Sequence, residues 1–160
     1  MSKIMLSVGV IGMFLLAGTF TCHGANWVTM DFDAPNKSVE SNSYDAESIK
    51  VVGKSLSWTE QYNLTKSGTG YYTKHLAQYP LCRENMTKKG DVAYHQVDLQ
   101  IKEGKFRQAA KRNYTKNNEL ICTDKEMGKE FDTSWAEIPY QSPLFYRYYE
   151  FVTKYKLGNI

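Results

Sequence analysis

The feature that most constrains this chain is an alternation. Across Ser55–Leu64, Leu56, Trp58, Tyr62 and Leu64 fall on one parity, while Ser55, Ser57, Thr59, Gln61 and Asn63 fall on the other. A period of two makes this a β-strand with one apolar and one wet face. Such a strand belongs to an antiparallel sheet lying on a core, because strands buried on both faces read as continuous apolar runs. Val52-Gly53-Lys54 just ahead of it is a tight turn, so residues 44–64 are two strands folded back on each other. Glu60 interrupts the apolar row, and a carboxylate there is expected at a sheet edge or against a lysine of a neighbouring strand.

The start of the chain obeys a different logic. Lys3 precedes the apolar run IMLSVGVIGMFLLAGTF, and small, weakly polar residues follow as far as His23-Gly24-Ala25. Charged, apolar and cleavable is the order of a secretory signal, so residues 1–25 are expected to be removed, with a cut after Gly24 as the alternative to one after Ala25. The competing expectation is an uncleaved anchor, the one way this chain would hold a membrane. Thr19, Phe20 and Thr21 ahead of Cys22 lack the leucine and small residues that lipid attachment prefers. Residues 26–160 then remain, about 135 in number, which is enough for one domain with one core.

Of the three cysteines, only Cys82 and Cys122 lie in that mature part. An even pair in an exported chain is expected to form a disulfide, against the alternative of two buried thiols. The formal net charge of +3 includes Lys3, so the mature chain is nearly balanced and no nucleic-acid partner is expected. The basic residues between Lys102 and Lys116, among them Lys105, Arg107, Lys111 and Arg112, are divided by strand alternation between two faces and build no single patch.

Taken in order, residues 26–32 are a short strand, 33–43 a polar loop, and Asp45 the cap of one helical turn before the hairpin. Residues 65–91 read as irregular: Ser67-Gly68-Thr69-Gly70 is a loop, and Tyr71-Tyr72 extends a strand. Ala93, His95, Val97, Leu99 and Ile101 then share one parity in a strand that turns at 102–105, returns through 106–115, turns again at 116–118 and ends in a short strand at 119–123. Ser142-Pro143 opens a helix over 142–156, with a hydroxyl N-cap and a proline whose missing N–H costs nothing there. Leu144, Tyr148, Phe151, Val152 and Tyr155 form its apolar stripe. The expected fold is therefore α+β: an antiparallel meander sheet packed by a C-terminal helix, in a single domain.

Several short pieces agree in order with a known family. They are Trp27, the tract Tyr44-Asp45 and Ser48-Ile49 leading to the Gly53 turn and the Trp58 strand, Phe106-Arg107 with the Asn117-Asn118 turn, and Trp135-Ala136-Glu137-Ile138-Pro139 before Ser142. On these residues the chain resembles the bacterial surface-adhesin E family of small exported proteins. The resemblance implies a sheet flanked by helix, a place at the cell surface or in the periplasm, and binding without catalysis, the partners of the family's namesake being host matrix and serum proteins; export alone leaves release from the cell as a further expectation. Where related chains place a cysteine in the last helix, this one has Val152, Thr153 and Lys154.

No nucleophile elbow, phosphate loop, zinc-protease helix or metal-type cysteine pair occurs, so no catalytic residue, metal or cofactor is expected. Asp31 with Asp33, and Asp124 with Glu126, read as solvated turns before weak calcium sites. His75 is placed in a loop and His95 on the apolar side of a strand, satisfied in or beside the core. An enzyme would have to bring these two histidines and a lysine or arginine together only in the fold, as a secreted nuclease does. A small-ligand carrier with a cavity under the sheet is a third possibility. For the favoured reading, a non-catalytic protein binding another protein or other macromolecule of envelope or host, Tyr71, Tyr72 and Tyr79 are the candidate contacts, since tyrosine offers large area at low entropy. Asn63, Asn85 and Asn113 each open an N-glycosylation sequon, relevant only in a eukaryotic source.

Overall fold

Where side chains alternate, the backbone is extended, and the strands then pair in the simplest way available to consecutive segments. The computed structural model describes residues 24–30, 38–128 and 133–155. Its strands are β1 (Trp27–Thr29), β2 (Val39–Asp45), β3 (Lys50–Val52), β4 (Ser55–Leu64), β5 (Tyr94–Lys102), β6 (Lys105–Tyr114), β7 (Leu120–Thr123) and β8 (Ala136–Glu137). All eight form one antiparallel sheet, in the order β1-β2-β4-β5-β6-β7, with β3 beside β4 and β8 beside β6. The helices are α1 (Lys66–Leu76), α2 (Pro80–Lys89), the single turn α3 (Asp124–Met127) and α4 (Pro143–Lys154). The α+β class and the meander of β4, β5 and β6 are as expected. Residues 1–23 of the postulated leader fall outside the described residues, as do Asp31, Phe32 and Asp33. Among the described residues no helix is long and apolar enough to cross a membrane.

The hairpin expected at Val52-Gly53-Lys54 is present, with Gly53 at φ +59°. Asp45 caps the helical turn Ala46–Ser48 by accepting from the Glu47 N–H at 3.0 Å. That turn interrupts the edge facing β4, and Ser48 Oγ fills the gap by accepting from the Thr59 N–H at 2.8 Å. At the other end, Ser142 Oγ accepts from the Phe145 N–H at 3.1 Å and starts α4 where expected.

Three expectations need correction. Residues 39–43 are not loop but most of β2, whose sequence VESNSYD lacks apolar alternation because its inward positions are Asn42 and Tyr44. Residues 65–91 are not irregular but form α1 and α2, so Tyr71-Tyr72 and His75 lie on a helix. Gly68 is there for space instead of a turn: a Cβ would sit 1.9 Å from the Ser38 carbonyl oxygen, so only glycine lets the helix approach. Finally, Glu60 stands on a central strand, not at an edge, and meets an arginine of α4.

All the packing helices lie on one face of the sheet. At one end Phe151 of α4 meets Trp58 and Tyr44 edge-on, at 5.2 and 4.9 Å between ring centroids, within a core that includes Leu56, Leu99 and Ile101. At the other end α1 and α2 close a second core around Leu64, Leu76, Val92 and Ile121. The disulfide Cys82–Cys122 ties α2 to β7 there, with Cα atoms 5.3 Å apart. Asn85 and Lys89 of α2 also donate to the Ile121 and Leu120 carbonyls, both at 2.7 Å, which covers part of that sheet edge.

Candidate functional site

Between the two cores runs a polar row, Asn42, Tyr62, His95 and Asn113, in register across four neighbouring strands. His95 is only 5 % exposed, stacked on Tyr62 at 5.1 Å and touched from α1 by Tyr72 at 5.1 Å. Lys111, which alternation turns to this inner face, holds its Nζ 4.9 Å above the Tyr72 ring. Burial first, and the Lys111 charge second, push the His95 pKa down to about 3. Burial also pushes Lys111 down to about 8, and raises Tyr72 with a smaller contribution from Tyr71. His95 Nδ1 and Asn113 Oδ1 are buried with no hydrogen-bond partner among the described residues, so His95 is less well satisfied than expected.

The residues singled out from sequence gather around this row. Tyr71 meets Tyr72 at 5.3 Å and His75 at 6.4 Å, and His75 meets Tyr79 at 5.8 Å. Tyr72 and Tyr79 pack against the second core, whereas Tyr71 is 64 % exposed. The two histidines and a lysine thus belong to one aromatic cluster, but His95 is neutral in it and sealed beneath α1. The three sequon asparagines are engaged internally. Asn63 donates to Ser41 Oγ and Asn85 to the Ile121 carbonyl, and Asn113 is fully buried. Asp124 accepts from the Lys111 backbone N–H, and Glu126 completes a capping box with Thr123.

The opposite face of the sheet is open among the described residues, and its side chains bond to one another. Arg112 grips Asp98 with both terminal nitrogens, at 2.7 and 2.5 Å, while Thr59 Oγ1 donates to the same carboxylate at 2.8 Å. Burial alone would raise the Asp98 pKa, but the hydrogen bonds from Arg112 and Thr59 outweigh it and hold the group below its ordinary value. Arg107 Nε donates to Gln100 Oε1 at 2.8 Å, and its guanidinium lies 4.8 Å from the ring of Trp135, itself 39 % exposed. Gln96 donates to Gln61, and Gln61 to Asn63, each at 3.1 Å. This lattice fixes long side chains before any partner arrives.

Within the lattice lies a hollow of about 240 Å³, lined by Lys50, Ser57, Thr59, Asp98, Gln100 and Ala109 among others. Its depth has a local cause. β6 bulges opposite the Asp98/Leu99 step, so the small Ala109 and Ser57 leave a floor between taller neighbours. Sequence reasoning placed Ser57, Thr59, Asp98 and Gln100 on the wet parity but had no means of knowing that Lys50, Ser57, Gln100 and Arg107 share one row, which only strand register reveals. A second hollow, about 410 Å³, lies on the outer side of α4 between Phe145, Tyr146, Tyr149 and Glu150. No group of three or more metal-ligating side chains occurs among the described residues.

No protein-family model, no curated protein and no solved structure matches this chain.

Proposed function

We propose that the chain is an exported, non-catalytic binding protein of the bacterial envelope or surface, similar in role to the surface-adhesin E proteins it resembles, and that its partner is a macromolecule received by the open sheet face. The observation that carries this reading is the lattice on that face: carboxylate, guanidinium and amide groups are held in fixed orientations, so little side-chain entropy is lost when they meet a partner. The Cys82–Cys122 bond suits an oxidising compartment outside the cytosol. A nuclease built on His75 and His95 is disfavoured by the depressed pKa and burial of His95, which deprive it of a proton to give near neutrality and of a path to substrate. A carrier is disfavoured because Phe151 fills the apolar face where a ligand cavity would lie.

The test compares three double variants, each checked for folding: Gln61→Ala with Gln96→Ala on the open face, Tyr71→Ala with Tyr72→Ala on α1, and His75→Ala with His95→Ala. Capture of macromolecules from envelope and host extracts should fall in the first. Loss in the second alone would move the contact to the α1 tyrosines, and nuclease turnover lost only in the third would overturn the binding reading.

A further inference from the structure

Resting on that reading, we propose that the hollow on the open face is a subsite for an acidic saccharide, whose ring lies over Ser57 and Gln100 and whose acid groups meet Lys50 and Arg107. Size is the first ground. A volume of about 240 Å³ is the share of roughly eight liquid waters and falls below the usual range of drug-sized pockets, which leaves space for a sugar ring.

Chemistry is the second ground. The floor is made of hydroxyl and amide groups, which suits a ring that is hydroxylated all round. Among the described residues the Ser57 hydroxyl has no hydrogen-bond partner, and Gln100 has its Oε1 on Arg107 and makes no bond through its NH₂. Asp98 is already held by Arg112 and Thr59, which leaves about one acceptor site for a sugar hydroxyl and no unbalanced negative charge. Trp135, stacked on Arg107 and partly exposed, gives the row an apolar plate of the kind the C–H face of a pyranose covers.

Charge is the third. Among the described residues Asp98 is matched by Arg112 and Glu137 by Lys105, whereas no carboxylate pairs with Lys50 or Arg107. These two cations end the row Lys50, Ser57, Gln100, Arg107, about 14 Å apart by three strand spacings. Acid groups repeated along a chain match that spacing better than one charge on one ring. A nucleic acid needs a denser set of cations than this face offers. A peptide would want an apolar pocket for an anchoring side chain, and the hollow is lined mainly by polar side chains.

The probe is tetragalacturonate, titrated calorimetrically into the full-length chain, with its methyl ester as the uncharged form of the same sugar and a thymidine oligonucleotide as a charge control. Binding should be about tenfold or more weaker in Lys50→Ala and in Arg107→Ala, as expected for loss of a charge-assisted contact, and should be retained in Lys50→Arg and in Tyr149→Ala on the distant α4 surface. The ester should bind at least about tenfold more weakly than the acid. Equal binding of acid and ester, indifference to both Lys50→Ala and Arg107→Ala, or tighter binding of the oligonucleotide would each overturn the proposal. If the open-face variant loses capture from extracts but tetragalacturonate neither binds nor competes, the saccharide assignment fails while the binding reading stands. If the wild-type chain captures nothing and binds no probe, both fail.

Discussion

Two polar residues stand on the apolar parity of adjacent central strands, and the fold deals with them in opposite ways. Glu60 is given an oppositely charged partner and two further donors. It is 0 % exposed and receives Arg147 at 2.9 Å, the Trp58 indole N–H at 2.6 Å and the Tyr62 hydroxyl at 2.5 Å, with Arg147 itself 2 % exposed and turned by its Nε toward Met30 Sδ. His95, one register step away, is held uncharged, because burial and the nearby Lys111 make the imidazolium unfavourable. Tyr62 serves both, its hydroxyl on Glu60 and its ring against His95. A buried titratable group survives folding by acquiring partners or by losing its charge, and this sheet does each once within two rows.

The first way to break that contrast is to remove one partner of the paired site. Arg147→Met should cost about 3–5 kcal/mol in urea or thermal unfolding, because it strands a carboxylate in the core. Adding Glu60→Gln should recover most of the loss, since the amide oxygen can still accept from the Trp58 indole and the amide NH₂ can donate to the Tyr62 hydroxyl oxygen, with no charge left unpaired. Equal instability of the single and double variants would mean that Arg147 acts by packing and not by compensating Glu60.

Next in size is the contact that holds α4 over the pair. Phe151→Ala should cost about 3–5 kcal/mol, the usual range for a buried aromatic, and Trp58 fluorescence should report it, since the two rings meet edge-on at 5.2 Å. A negligible change would mean that α4 does not depend on this stripe.

Strand periodicity and helix capping made this half of the molecule legible in advance: Leu56 and Trp58 marked the inner face, and Ser142-Pro143 marked where α4 begins. Arg147 did not announce itself, because on a helix wheel an arginine beside an apolar stripe reads as solvent-facing until a carboxylate appears opposite. The α1–α2 half was opaque for a physical reason. Gly68 and Gly70 depress helix propensity, and the packing that outweighs it, Gly68 on the Ser38 backbone and Leu76 in the second core, is made with residues distant in sequence. The open-face hollow was half legible. Ser57, Asp98 and Gln100 had the right parity, but their adjacency to one another and to Arg107 depends on register and on a bulge that no local signal revealed.

The disulfide sharpens the contrast between the halves. Replacing Cys82 and Cys122 together by alanine should cost about 2–4 kcal/mol by freeing the unfolded chain, with hydrogen exchange rising first in α1 and α2 and last in β4 and α4. Uniform loss of protection across the chain would show that the two cores unfold as one unit.

The smallest effect tests the uncharged site through pH. Because the folded His95 pKa is about 3 and the ordinary value 6.5, the unfolded chain binds a proton between those limits that the folded chain refuses. Stability is therefore undiminished by this group above pH 6.5 and falls as pH drops through the window, by up to about 1.4 kcal/mol per unit. His95→Phe keeps a ring between Tyr62 and Tyr72 and removes the titration. Between pH 6.5 and 4.5 wild-type protein should lose about 2 kcal/mol more than the variant, a difference from which the carboxylates common to both cancel. Lys111 gives the matching test at the other end: with its pKa lowered to about 8 from 10.5, stability should rise with pH across that interval, and Lys111→Met should flatten the rise. Identical acid slopes in wild type and His95→Phe would mean that the imidazole is charged and partnered in the folded chain. The contrast with Glu60 would then be lost, and His95 would return as a candidate for proton transfer.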